Sequence, residues 1–241
     1  MMNLSEMNTL QQLLYYYREN AGYVFEQFTR HFLISIYGVL FAAIVAIPLG
    51  FWIARHKKLA DWIIGAANVI QTIPSLALLS ILMLGLGLGS DTVIATVFLY
   101  SLLPIIKNTY TGVRNVDAAL LDTGKGMGMT RMQLTYLVEL PLSLSVIMAG
   151  LRNALVVAIG ITAIGTFIGA GGLGDIISRG VNATNGTAII LAGAIPTALM
   201  AVLADWLLGL MEKRLDPSSK VKRKHGPQNI STEFEGQDCS M

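Results

Sequence analysis

Phe32-Leu-Ile-Ser-Ile-Tyr-Gly-Val-Leu-Phe-Ala-Ala-Ile-Val-Ala-Ile-Pro-Leu-Gly-Phe-Trp-Ile-Ala54 runs for 23 residues without a charged side chain. A helix needs roughly 20 apolar residues to cross the ~30 Å hydrocarbon core of a bilayer. The same test applied outward finds charge-free stretches at 62–90, 92–106, 153–174 and 180–204, of 29, 15, 22 and 25 residues. The 15-residue stretch qualifies when its helix continues past Lys107, whose ammonium can snorkel to the headgroups. The spacing predicts an all-α integral membrane protein with five transmembrane helices, near 31–54, 63–88, 92–112, 141–166 and 187–211. Composition agrees. Of the 241 residues, 54% are hydrophobic and only 13% charged, and the mean hydropathy is +0.60. One soluble core of this size would not hide so much apolar surface, and disorder or a disulfide scaffold is excluded for the bulk of the chain.

Lysine and arginine set the orientation. Arg55, Lys57 and Lys58, then Lys107, Arg114, Lys125 and Arg131, then Lys213, Arg214, Lys220, Lys222, Arg223 and Lys224 fall on one side, 13 of the 17 basic residues. That side is read as cytoplasmic. The N-terminus is therefore placed outside and the C-terminus inside, in a multi-pass protein of the bacterial plasma membrane. The first 30 residues lack the apolar core of a cleavable signal peptide.

Three regions follow. Residues 1–30 form an outer segment. Within it, Leu10, Leu13, Leu14, Tyr17, Ala21, Val24, Phe25 and Phe28 recur at helical spacing. They predict an amphipathic interfacial helix, or one packed on another subunit. Residues 31–212 form the transmembrane domain. Residues 213–241 form a polar cytoplasmic tail, carrying the lone Cys239. Segment 113–140 is too polar to span and too apolar for a free loop. One or two short helices are expected there, offering Met and Leu side chains to a partner.

Chemistry-bearing motifs are few. Gly169, Gly171 and Gly174 match the dinucleotide glycine pattern but follow a membrane helix rather than a strand. Gly124-Lys125-Gly126 fails the phosphate-loop pattern. No catalytic residues, metal site or nucleic-acid partner are read. Arg152 is an intramembrane charge, expected near mid-bilayer, either bonded to carbonyls of a neighbouring helix or lining a path. Asp205 and Trp206 read as interfacial anchors. Gln71-Thr72-Ile73-Pro74-Ser75 interrupts an apolar span. Pro74 should kink the helix and leave a polar spot in an apolar wall.

Asp122-Thr123-Gly124-x(3)-Gly128-x(9)-Val138-Glu139-Leu140-Pro141 has the spacing Glu-Ala-Ala-x(3)-Gly-x(9)-Ile-x-Leu-Pro. It resembles the coupling-loop signature of ATP-binding-cassette importer permeases, with Asp for Glu and Thr-Gly for Ala-Ala. Val69 to Leu79, Thr166 to Gly174 and Ala149-Gly150-Leu151-Arg152 are similar to strings of the osmoprotectant permeases, which import glycine betaine, carnitine, choline and related quaternary amines. The resemblance covers roughly residues 20–215. It implies a type I, methionine-permease-like importer fold and a second permease subunit, identical or paralogous. It also implies two ATPase subunits that hold the ATP and magnesium, this chain itself binding no cofactor, and an extracellular substrate-binding protein. On the resemblance, Asp122, Thr123, Gly124, Met127, Gly128, Met129, Val138, Leu140 and Pro141 couple to the ATPase. Gln71, Thr72, Pro74, Ser75 and Arg152 are candidates for the substrate path. The same signature would serve a methionine or other nutrient permease. An ion-coupled carrier or a channel would usually need intramembrane carboxylates or a selectivity ring, and only Asp205 offers itself.

Overall fold

The computed structural model describes residues 8–184 and 186–215; the polar tail beyond 215, with Cys239, lies outside them. Among the described residues the chain is helical and has no strand. Its helices are α1 (Thr9–Ala54), α2 (Lys57–Thr72), α3 (Ser75–Leu86), α4 (Ser90–Arg114), α5 (Ala118–Gly126), α6 (Arg131–Leu134), α7 (Leu140–Ile164), α8 (Leu173–Val181) and α9 (Thr187–Leu215). A π-helical turn at Thr135–Glu139 joins α6 to α7, and a 3-10 turn at Gly165–Ile168 follows α7. Four helices are long and apolar enough to cross a membrane unbroken. The α2–α3 pair passes the same test when its two arms are taken together, for up to five spans in all.

The central bundle is α1, α4, α7 and α9, with α7 touching the other three. Small residues set the close approaches. A Cβ on Gly150 of α7 would lie 2.7 Å from Asn108 Cβ of α4, and one on Gly193 of α9 would lie 2.7 Å from Ile177 of α8. Backbones that approach this closely gain dispersion contact, the main attraction left between helices in lipid. Ala42, Ala46, Val93, Val97, Ile105, Ala154, Ala158 and Ile159 fill the interior. Two pairs of buried polar groups meet across it. Ser35 and Thr162 share a hydroxyl–hydroxyl bond of 2.9 Å, and His31 Nε2 meets the Ile159 carbonyl at 3.0 Å.

The N-terminal helix is joined to the first span: α1 runs 46 residues, with two helical stretches meeting at a kink at Asn20. Three of its polar side chains find partners in the chain's own 165–195 region. The Tyr17 hydroxyl donates to the Ala192 carbonyl (3.1 Å), Tyr23 donates to Asp175, and Gln27 Oε1 accepts from the Gly172 N–H (2.7 Å). The guanidinium of Arg179 lies 4.8 Å from the centre of the Tyr23 ring, a cation–π distance.

Pro74 does more than kink its span. α2 and α3 meet at 98°. Proline offers no N–H to the Ile70 carbonyl, and its ring drives Ile73 to extended torsions (φ −69°, ψ 129°). The other in-helix prolines leave the same kind of vacancy, and side chains from distant helices fill two of them. Pro196 frees the Ala192 carbonyl that Tyr17 reaches. Pro104 frees the Tyr100 carbonyl, which accepts from Gln71 Nε2 at 3.0 Å. A freed carbonyl within a membrane has no water to turn to, so each becomes a docking point between helices.

Candidate functional site

The connection between α4 and α7 is structured throughout. The Asp117 carboxylate caps α5 by accepting the Ala119 N–H at 2.9 Å. Thr130 and Gln133 form a reciprocal cap on α6. Gly124 is buried because α6 packs on it. A Cβ there would lie 2.7 Å from Leu134 Cδ1. Gly128 turns the chain between the two helices at φ +80°, a left-handed conformation that favours glycine. These contacts place Gly128, the glycine of the 122–141 signature, and Gly124, which stands where the signature has alanine. The proline has its own reason. Pro141 cannot donate to the Leu137 carbonyl, and the backbone there shifts to a π turn in which Leu140 N–H reaches the Thr135 carbonyl. The helical path from Arg131 to Ile168 is thereby continuous.

Two grooves flank this connection. One, of about 600 Å³, is lined by Leu120, Thr123, Gly124, Met127, Met129, Leu137, Val138 and Pro141, and by Leu215 at the end of α9. It brings together Thr123, Gly124, Met127, Met129, Val138 and Pro141 of the signature residues. The other, of about 560 Å³, lies between the end of α1 and α6. Leu140 lines it with Trp52, Arg55, Met132 and Tyr136. Asp122 lines neither; it pairs with Lys125 at 2.9 Å on the exposed face of α5. Met127 (67% exposed), Met132 (68%) and Leu137 (64%) present apolar knobs outward.

A contact absent from the sequence reading anchors the connection. Arg55 Nη2 bonds the Glu139 carboxylate at 2.9 Å and also meets the Thr135 hydroxyl. Glu139 is nearly buried, so the pair ties the end of α1 to the root of α7. The only sequence signal was an acidic residue inside the signature and an arginine opening a basic cluster.

The structure gathers Gln71, Thr72, Pro74 and Ser75 at the α2–α3 break and sets Arg152 elsewhere. Gln71 is held by α4, and the Thr72 hydroxyl donates to the Val69 carbonyl at 2.7 Å. Arg152 lies on the α7–α9 seam. Its Nη2 bonds Asp205 Oδ2 at 2.7 Å, its Nε meets the other oxygen, and Nη1 lies 3.5 Å from Glu212. The guanidinium thus meets carboxylates rather than carbonyls. Asp205, read as an interfacial anchor, is its partner.

Comparison with known proteins agrees with this architecture. Residues 46–217 match the family model described as binding-protein-dependent transport system inner membrane component. The chain is 68% identical over 221 residues to the carnitine transport permease protein OpuCD of Listeria monocytogenes serotype 1/2a (strain 10403S), covering 92% of this chain and 98% of that protein. It is 67% identical over 216 residues to the glycine betaine/carnitine/choline transport system permease protein OpuCD of Bacillus subtilis (strain 168), covering 90% and 94%. The permease protein OpuCB of that system and strain is 40% identical over 208 residues, covering 86% and 95%. Among solved structures, a chain of the inward-facing MetNI methionine ABC transporter shares the fold, with a TM-score of 0.72 at 19% identity over 80% of this chain and 95% of that one. The match over most of its length and the close relatives place this chain in the family of binding-protein-dependent transport system inner membrane components.

Proposed function

We propose that this chain is one permease subunit of an ATP-binding-cassette importer that brings quaternary-amine compatible solutes such as glycine betaine, carnitine or choline into the cell. The printed functions of its relatives at 67% and 68% identity carry the substrate class. The rigid joint between the α5–α6 connection and α7 supports the coupling role. In this reading two ATPase subunits, holding the ATP and magnesium, dock on the knobs of Met127, Met132 and Leu137. Closure of the ATPase dimer then moves α7 as a rigid lever. Asp122, Thr123, Gly124, Gly128, Met129, Val138, Leu140 and Pro141 shape the surface that receives the push.

The second permease subunit is a paralogue. Two permease proteins of one Bacillus subtilis system stand at 67% and 40% identity to this chain, which supports a pairing of unlike halves. A binding protein delivers the solute from outside and supplies the aromatic cage that a quaternary ammonium prefers. The connection and the C-terminus face the cytoplasm, as the distribution of basic residues requires. Gln71, Thr72, Pro74 and Ser75 belong to the wall of the path, with Arg152 bracing it.

Uptake of radiolabelled glycine betaine, carnitine and choline at high osmolarity tests the proposal, in a host lacking other osmolyte importers, with and without this gene. Gene-dependent uptake of any one that stops on ATP depletion is expected. Absence of all three, with the protein present in the membrane beside its ATPase, overturns the substrate class.

A further inference from the structure

α2 does not have the surface of a lipid-facing span. Ala60 and Ala67 seat it against the bundle. Trp62 (80% exposed), Ala66 and Val69 (64% exposed) form an apolar outer face. Between these faces, at steps of four, three and four residues, run Asp61, Gly65, Asn68 and Thr72, which share one strip of an α-helix. Asp61, Asn68 and Thr72 are exposed, and the space beside Gly65 is open. The Asp61 carboxylate and the Asn68 amide have no hydrogen-bond or ion-pair partner among the described residues. The strip starts near Arg55 and ends where Pro74 breaks the span.

An unpartnered amide at Asn68, within the span, is costly against hydrocarbon, so this strip faces water or protein, and Asp61 sits at its cytoplasmic mouth. The chemistry of the strip also suits one cargo. A quaternary ammonium has no N–H to donate, and its charge is spread over methyl groups. It is stabilised by oxygen atoms facing it and by one carboxylate, without a directional bond. Oxygens of Asp61, Asn68 and Thr72 supply that surface. An open, hydrated contact of this kind holds cargo weakly enough to release it.

We propose that the Asp61–Gly65–Asn68–Thr72 strip of α2 lines the solute route and gives a quaternary ammonium its transient contact, with Asp61 and Asn68 determining specificity. The proposal deepens the reading above and rests on it. Its test uses the assembled importer carrying Cys239→Ser, with single variants Asn68→Cys, Thr72→Cys, Trp62→Cys and Val69→Cys. The probe is a membrane-impermeant, trimethylammonium-bearing methanethiosulfonate. Thiolates form in water, so modification at 68 and 72 is expected about tenfold faster than at 62 and 69. Glycine betaine or choline should slow modification at 68 and 72 only. In the otherwise native importer, Asp61→Asn should raise the KM for choline about threefold, the scale of one exposed charge contact. It should raise that for zwitterionic glycine betaine less.

Equal modification on both faces overturns the route. So does rapid disulfide cross-linking of Asn68→Cys to the second permease, which would make the strip a subunit seam. An equal KM change for the two solutes overturns the role of Asp61. If the parent importer takes up none of these solutes, the ammonium contact falls with the substrate class, while the labelling contrast still decides whether the strip lines a route.

Discussion

Gln71 and Tyr100 complete each other's helices. Tyr100 has lost its backbone donor because Pro104 stands four residues on, and the Gln71 amide supplies one at 3.0 Å. In return the Tyr100 hydroxyl donates to the Ile73 carbonyl, at the point where Pro74 stops α2. Two interruptions, 30 residues apart, are thereby closed against each other, and the break in the second span is fixed to α4. The bend at Pro74 is a built joint rather than a weak point.

Removing either donor should therefore destabilise the protein. Gln71→Leu leaves the Tyr100 carbonyl unpaired, and Tyr100→Phe does the same to Ile73. An unsatisfied buried polar group costs about 1–3 kcal/mol. The two changes act on one joint, so the double variant should lose less than the sum of the singles. Thermal unfolding of the purified importer in detergent measures this. Parent-like stability in both single variants would remove the joint from the account.

How much of this was legible in the sequence depends on range. The apolar spans were, because each is a local gap between charges. Pro74 was visible as a breaker, but not the 98° angle, since the contacts that fix it come from α4. The continuity of α1 was hidden for the same reason. Tyr17 and Tyr23 look like interfacial tyrosines until the 165–195 region is folded against them. Gly124 and Gly128 could be placed in a signature, but their reasons, the Leu134 side chain and a left-handed turn, are tertiary. Arg55 with Glu139 and Arg152 with Asp205 each appear in sequence as lone charges. Their pairing needs the neighbouring helices in place.

The glycines of the connection should separate cleanly by mechanism. Gly128→Ala forces a side chain into left-handed backbone, at a cost of about 1–2 kcal/mol. Gly124→Ala brings a Cβ only against the tip of the Leu134 side chain, which can rotate away, and alanine is what the signature carries there. Gly126→Ala meets nothing within 4 Å and should be silent. Solute uptake, normalised to the amount of protein in the membrane, should fall for Gly128→Ala and change little for the other two. A loss at Gly126 equal to that at Gly128 would contradict the backbone explanation.

Met127→Ala combined with Met129→Ala tests the connection as a coupling device. Met127 is largely exposed, so its truncation removes little packing within this chain. Membrane insertion and assembly should be kept while uptake falls several-fold. ATP hydrolysis by the complex should continue with less solute moved per ATP, as expected when a lever's contact surface is blunted. Unaltered uptake would release these two methionines from that role.

Arg55 should matter for the same motion through a different contact. Its bond to Glu139 fixes the root of α7 to the end of α1. Glu139→Gln keeps the shape and one acceptor oxygen while removing the charge. Glu139→Ala removes the contact and leaves Arg55 without its partner. Uptake should follow the order parent, Gln, Ala, at comparable membrane levels. Equal activity of the Ala variant and the parent would show that the two helices move independently of this tie.

The Arg152–Asp205 pair offers the sharpest double substitution. Two N–H donors of one guanidinium meet the two carboxylate oxygens, and Glu212 approaches a third nitrogen. Bidentate geometry of this kind is specific to arginine, so Arg152→Lys keeps the charge but loses one of the two parallel bonds. Arg152→Ala leaves two carboxylates on one face of α9 without their cation, with Asp205 inside the apolar helix. Asp205→Asn weakens the same seam while leaving Glu212 as a counter-charge, so its effect should be smaller. Exchanging the partners, Arg152→Asp with Asp205→Arg, restores opposite charges across α7 and α9. The amount of full-length protein in the membrane should fall most in Arg152→Ala, less in Arg152→Lys and Asp205→Asn, and recover in part in the exchange. Recovery in the exchange above both Arg152→Ala and a separate Asp205→Ala identifies the bond itself as the brace. If the exchange is no better than those two single losses, each charge acts through other partners and the seam is held by packing.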